Sequence, residues 1–228
     1  MTERTEDAQT QALRAFLLLC ALDSGRDAWQ GRLVLVRGLD GPGRAVSVAS
    51  SIAGAACLAL DSRAEVCRAT LRAGACDFVV NSVDEALRIL KNEIRKRKPI
   101  SVAVAMPEEA ALDELVGRGV TPDMFVVSSP DTVDAAGPRL RALGIRIVPA
   151  GEAERMAAEY ISARGLELRE FRFASAQELS AFDQKLATAL PGSELRRRWA
   201  AVAPGFFYRD RPFRRVVCLA SGELAKLK

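Results

Sequence analysis

Four consecutive apolar residues, Leu33 to Val36, run into a turn punctuated by Gly38, Gly41 and Gly43, and then into an alanine- and serine-rich segment. A second apolar run, Ala56 to Leu60, ends on an acid, Asp61. Strand, glycine turn, helix, strand and acid, the acid roughly 20 residues beyond the turn, is the layout of a dinucleotide-binding βαβ unit. No other feature constrains the chain as strongly. In such a unit glycines let backbone approach a pyrophosphate, amides at the helix start donate to its oxygens, and the acid accepts from ribose hydroxyls. Gly41 and Gly43 are read as the first two glycines of the pattern, with Val46 or Ser47 in place of the third. Pro42 removes one amide, Asp40 sets a carboxylate beside the phosphate position, and Arg44 offers a compensating charge. Asp61 has a plainer reading as a helix-start acid.

Further β-rich runs follow at Phe78–Val80, Ser101–Val104, Met124–Val127, Arg146–Val148 and Glu167–Phe171, with a last one at Val216–Leu219. Helical segments lie between them. Residues 62–65, 82–85 and 175–178 read as capping boxes, and Pro107 suits a first helical turn. A helix is predicted over Ala8–Leu22 and a frayed tail over 1–8. Strands buried on both faces read as continuous apolar runs, and intervening helices supply parallel crossovers. The predicted fold is therefore α/β, a doubly wound and mainly parallel sheet with helices on both faces. The regular spacing also suits a closed (β/α)₈ barrel; the glycine turn favours the open sheet. One domain is expected over 1–228, with 191–228 as a C-terminal extension. Phe206, Phe207, Tyr208 and Phe213 form an aromatic cluster there, readable as core or as an interface with a second copy.

The chain holds no histidine, which removes Ser-His and Cys-His catalysis and the commonest metal ligand. Its five cysteines, Cys20, Cys57, Cys67, Cys76 and Cys218, show no zinc spacing and read as reduced thiols in a cytosol. No apolar run is long enough to span a membrane. A net charge of +4 is dispersed, with no aromatic-interleaved basic face to suggest nucleic acid.

The turn Gly38-Leu39-Asp40-Gly41-Pro42-Gly43-Arg44-Ala45-Val46 is similar to Gly-Leu-Gly-Gly-Met-Gly-Gly-Ala-Gln of the urocanase (urocanate hydratase) family. Ile52 to Asp61 resembles the family's Met-Ala-Gly-Gly-Val-Cys-Leu-Ala-Val-Glu. Leu71 to Gly74 with Asp77, then Val83 to Ala86 and Lys98 to Val102, follow in family order. Leu115-Val-Gly-Arg-Gly-Val-Thr-Pro-Asp123 echoes Leu-Xaa-Xaa-Arg-Gly-Val-Xaa-Pro-Asp. Ala203 to Phe206 and Arg211 to Arg214 resemble the segment by which urocanase re-enters its core domain. The resemblance runs in order over residues 29–131 and is patchy beyond.

Urocanases are cytosolic enzymes that use tightly held NAD⁺ as an electrophile to add water to urocanate, and this chain resembles their central Rossmann-like NAD domain. The resemblance implies NAD or a related nucleotide as ligand, held by Gly38, Gly41, Gly43, Arg44, Ala45 and Asp61. The site is expected where the first two strands end, at the topological switch point of the sheet. Departures cut against hydratase activity: Asp40 and Arg44 replace two glycines, Val46 replaces the glutamine, and Val127-Ser-Ser-Pro130 falls on the family's Asp-Gln-Thr-Ser-Ala-His stretch. The family's substrate pocket and essential cysteine lie in core segments this chain does not contain, and Cys218 reads as a buried core thiol. Two readings stand: a nucleotide-binding Rossmann domain without hydratase activity, and a degenerate, non-catalytic domain serving as a subunit or interaction module.

Overall fold

The structure, a computed structural model, describes residues 7–127 and 136–227. Helix α1 (Ala8–Leu22) leads into the alternating units β1 (Leu33–Arg37), α2 (Gly41–Ala53), β2 (Ala56–Leu60), α3 (Ala64–Arg72), β3 (Phe78–Val80), α4 (Val83–Arg95) and β4 (Ile100–Val104). Then come α5 (Glu108–Gly117), β5 (Met124–Val127), α6 (Ala136–Ala142), β6 (Arg146–Pro149) and α7 (Ala150–Ala163). The chain closes with β7 (Leu166–Arg172), α8 (Ala176–Ala189), α9 (Arg196–Phe206), β8 (Arg214–Ala220) and α10 (Ser221–Ala225). Of the predicted tail, 1–6 lie outside the described residues. Asp7 is the N-cap of α1, its side chain accepting from the Gln9 and Thr10 amides.

Six strands form one parallel sheet in the order β3-β4-β2-β1-β5-β6. The sheet is open, with β3 and β6 at its edges, so the barrel alternative does not form. Strand order reverses between β1 and β5: α2 carries the chain from β1 to β2 on one side, and β5 joins β1 on the other. The expected switch point is present, but it falls between β1 and β5 rather than at the ends of β1 and β2, and it is there that an open α/β sheet offers a crevice.

Because side chains alternate across a strand, Val34 and Val36 of β1 enter one apolar layer while Leu33 and Leu35 enter the other. The first layer packs under α1, α2, α7 and α9; the second packs under α4, α5 and α6. Two aspartates flanking strands fix register. Asp77, just before β3, bonds Ser101 through both its amide (2.9 Å) and its carboxylate (2.8 Å). Asp123, just before β5, holds Leu33 in the same way, at 2.8 Å each. Both lie in segments that carry the family resemblance.

The seventh and eighth strands depart from the expected sheet. They pair only with each other, as an antiparallel ribbon packed on the α1 side. Leu-Glu-Leu-Arg-Glu-Phe-Arg is interrupted by four charged residues rather than running apolar, so β7 lacks the doubly buried character of a central parallel strand. Ser82 and Ser175 form the serine half of the predicted boxes, accepting from the Glu85 and Glu178 amides; the reciprocal bond is not seen among the described residues, and Glu178 accepts the Ala174 amide instead. The 62–65 box does not form: α3 starts one residue later than expected, with Arg63 as its N-cap and no side-chain cap, and the Arg63 amide is held by Asp61. Pro107 is the N-cap of α5 rather than within its first turn. The aromatic cluster divides: Phe207 is buried against Trp199, whereas Tyr208 is 59% exposed.

Candidate functional site

Strand β1 ends at Arg37, and the Gly38 amide prolongs its pairing with β2 by donating to Leu60 O at 2.7 Å. Gly38 then turns the chain with φ +80°, a conformation L side chains resist. Helix α2 begins at Gly41, with Pro42 in its first turn and Asp40 as an N-cap whose side chain makes no capping bond. A Cβ placed on Gly43 would stand 1.9 Å from the Gly38 carbonyl oxygen and 3.2 Å from Val36, so helix and turn touch backbone to backbone there.

These contacts reassign the glycine pattern. A dinucleotide loop uses its first glycine for the turn, its second for close approach to pyrophosphate, and its third for helix–strand packing. Gly38 has the first role by its dihedral and Gly43 the third by its contact, at the spacing G-x-G-x-x-G. The second position is Asp40. The predicted register, with Gly41 and Gly43 first and second and Val46 or Ser47 third, is thereby displaced. Gly41 faces Gln11, whose Oε1 would lie 3.3 Å from an added Cβ.

Asp61 is fully buried at the end of β2 and is drawn into the turn. Its Oδ2 accepts the Leu39 amide at 2.8 Å and Arg63 Nη2 at 2.7 Å; its Oδ1 accepts the Arg63 amide and Nε, both at 2.9 Å. Burial alone would push this carboxyl up. The Arg63 fork and the two amides together outweigh burial and hold it below the usual carboxylate range. Arg63 Nη2 also lies 3.0 Å from Asp40 Oδ1, so a single guanidinium ties the acid of the strand end to the acid of the glycine turn. Its bonds to Asp61, then the Asp61 charge, hold it more firmly protonated.

Of the residues the sequence nominated, Gly38, Gly41, Gly43, Arg44 and Ala45 therefore lie on one turn, and Asp61 meets that turn through Leu39. The Arg44 amide donates to Asp40 O at 2.8 Å, while the buried Arg44 Nε has no hydrogen-bond partner among the described residues. Arg63 was missed by sequence reasoning. Its signal was the Asp-x-Arg spacing directly after a strand, where the acid's side chain folds back on the next turn.

A crevice of about 280 Å³ opens beside the turn, at the β1–β5 switch point. Pro42, Ala45 and Val46 of α2 line it with Leu18 of α1, Val126 of β5 and Ala153 of α7. Asp61 and Arg63 are not among its walls. The family's polar stretch falls on residues 127–130; beyond Val127 these lie outside the described residues. Among the described residues no helix is long and apolar enough to cross a membrane.

An open parallel sheet, a glycine turn into a helix at its first strand and an acid at the end of its second define a Rossmann-like domain. More narrowly, the family model described as the urocanase Rossmann-like domain matches residues 13–130, and the chain belongs to that family. The match takes in α1 from Leu13 onward and the glycine turn and reaches just past β5; the β7–β8 ribbon lies beyond it.

Proposed function

We propose that this domain keeps the Rossmann scaffold of the urocanases but does not hold NAD in their manner, and that it serves as a non-catalytic binding subunit. One observation carries this reading: Asp40 occupies the position where backbone must approach the pyrophosphate, and Arg63 ties it to a saturated Asp61. A unit negative charge about 4 Å from a phosphate oxygen costs about 1 kcal/mol in water and about 4 kcal/mol near a protein surface; with Asp40 largely exposed the cost lies toward the lower figure, and Arg63 offsets part of it. Four intramolecular bonds occupy both Asp61 oxygens, so a ribose hydroxyl would have to displace Arg63 or share those lone pairs. Pro42 subtracts one amide from the helix start. The absence of histidine fits the same reading.

A second reading, binding of a smaller ligand at the switch point, is favoured by the crevice beside Ala45. Its volume lies just under the usual range for ligand pockets, roughly 300–1,000 Å³, and suits a molecule smaller than a dinucleotide.

Calorimetric titration and thermal denaturation with NAD⁺, NADH, ADP and AMP test both. The expected result is no response to the dinucleotides, whereas a ligand at 100 times its Kd would add about 2.7 kcal/mol of stability. Saturable binding of NAD⁺ or NADH by the unaltered chain would overturn the first reading. Asp40→Gly, run alongside, is expected to gain affinity for ADP if the carboxylate is what closes the turn.

A further inference from the structure

The two edges of the β7–β8 ribbon are treated differently. Along β8, side chains take the outward backbone groups. Gln9 Oε1 accepts the Val216 amide at 2.5 Å, Trp199 Nε1 donates to Val216 O at 3.0 Å, and Arg196 Nη1 donates to Cys218 O at 3.3 Å. Along β7 the outward groups belong to the even-numbered residues. Phe173 donates to Phe213 O, so by the alternation of an antiparallel ladder the odd-numbered residues spend their backbone groups on β8. Among the described residues, no hydrogen bond reaches the outward amides or carbonyls of Leu168, Glu170 and Arg172. An open strand edge of this length is a template for another strand.

The side chains on that edge indicate which strand. Glu167, Arg169, Glu170 and Arg172 are all exposed, and the strand repeats Glu-x-Arg twice. Two copies related by a two-fold axis perpendicular to the ribbon pair antiparallel, each residue facing one on the same side of the sheet. With the axis at Phe171, Glu170 of one protomer faces Arg172 of the partner subunit, twice over, and Phe171 faces its counterpart. With the axis at Leu168, Glu167 faces Arg169 of the partner subunit, again twice, and Leu168 faces its counterpart. The register centred on Arg169 sets like charges together and is disfavoured. Within one chain Glu170 pairs with Arg172 at 2.5 Å and with Arg214 of β8 at 3.6 Å, and Glu167 pairs with Arg169, so a second copy would exchange these intrachain pairs for cross-strand ones.

We propose that the outer edge of β7 is a homodimer interface, at which two copies join their ribbons into a four-stranded antiparallel sheet through self-complementary Glu-x-Arg repeats. This holds whether or not the glycine turn binds a nucleotide.

Sedimentation velocity on the whole chain tests it with two charge variants, E167R/E170R and R169E/R172E. The unaltered protein is expected to self-associate to a dimer with rising concentration. Each variant alone, its strand carrying a single sign, should associate at least about tenfold more weakly, and an equimolar mixture should recover the dimer. Hydrogen exchange on the unaltered protein gives a readout independent of any variant: the amides of Leu168, Glu170 and Arg172 should gain protection between dilute and concentrated samples. A protein that stays monomeric at high concentration, or one whose dimer survives both variants without protection of these amides, would overturn the proposal.

Discussion

Gly43 of helix α2 presses on the carbonyl oxygen of Gly38 so closely that a Cβ would come within 1.9 Å of it. Neither atom is the end of a flexible side chain, so relief requires moving the helix or the turn. Gly43→Ala is expected to cost at least about 1–3 kcal/mol, the usual range for overpacking, read as a lower urea midpoint at unchanged slope. Gly41→Ala is the control. There the added methyl meets side-chain atoms of Gln11, the nearest at 3.3 Å, rather than backbone, and replacing glycine near a helix start returns up to about 1 kcal/mol of unfolded-state entropy. The two substitutions should therefore differ in size and can differ in sign.

Acid stability should report the buried carboxylates. Besides Asp61, Glu223 is buried; burial works against its ionisation, but two bonds from Arg196 at 2.8 Å and one from the Ala220 amide hold its carboxyl low. Groups depressed in the fold take up protons first in the unfolded chain. Their contribution is complete above about pH 5 and is lost as pH falls through the folded values, below about pH 4. Urea midpoints measured from pH 7 to pH 3 should be flat at first and then drop. Arg63→Gln should lower the neutral-pH plateau by about 1–2 kcal/mol, less than for a fully buried pair because Arg63 is partly exposed, and should shrink the acid drop.

All five thiols are buried, and burial pushes each of them up: Cys57 and Cys76 to about 12, Cys67 and Cys218 to about 11, and Cys20 upward as well. The core-thiol reading of Cys218 is thus the structural one, and no thiolate stands ready for nucleophilic chemistry. Iodoacetamide at pH 8 should label the native chain only through unfolding, while all five sites should react in denaturant. Rapid stoichiometric labelling of one cysteine in the native protein would contradict this.

Gln9 is fully buried and supplies the only acceptor seen among the described residues for the Val216 amide. Gln9→Leu keeps much of the volume but orphans that donor in the core, so a loss of about 1–3 kcal/mol is expected. Thermal denaturation monitored by tryptophan fluorescence would follow it, since Trp199 bonds the same residue's carbonyl.

Much of this architecture is written locally. Ala-Cys-Leu-Ala-Leu and Met-Phe-Val-Val can be buried on both faces and little else, and serines at 82 and 175 mark helix starts by their own side chains. The capping box at 62–65 misled because Asp61 holds the Arg63 amide and guanidinium, and the helix starts one residue later than the box needs, with Arg63 rather than Ser62 as its N-cap. The four charges within β7 were equally visible, yet their consequence, a separate ribbon, depends on which strand it finds as a partner.

The sequence by itself determined the parallel α/β class, the strand–glycine–helix turn and the buried thiols, because apolar periodicity and backbone-permissive residues act within a few positions of themselves. Only the tertiary structure decided that β4 inserts between β2 and β3, that Gly38 and Gly43 rather than Gly41 fill the glycine roles, and that Asp61 is consumed by Arg63 and Leu39. Those outcomes depend on pairing and contact between segments distant along the chain, and no local pattern encodes which of several compatible partners a strand, a glycine or a carboxylate will meet.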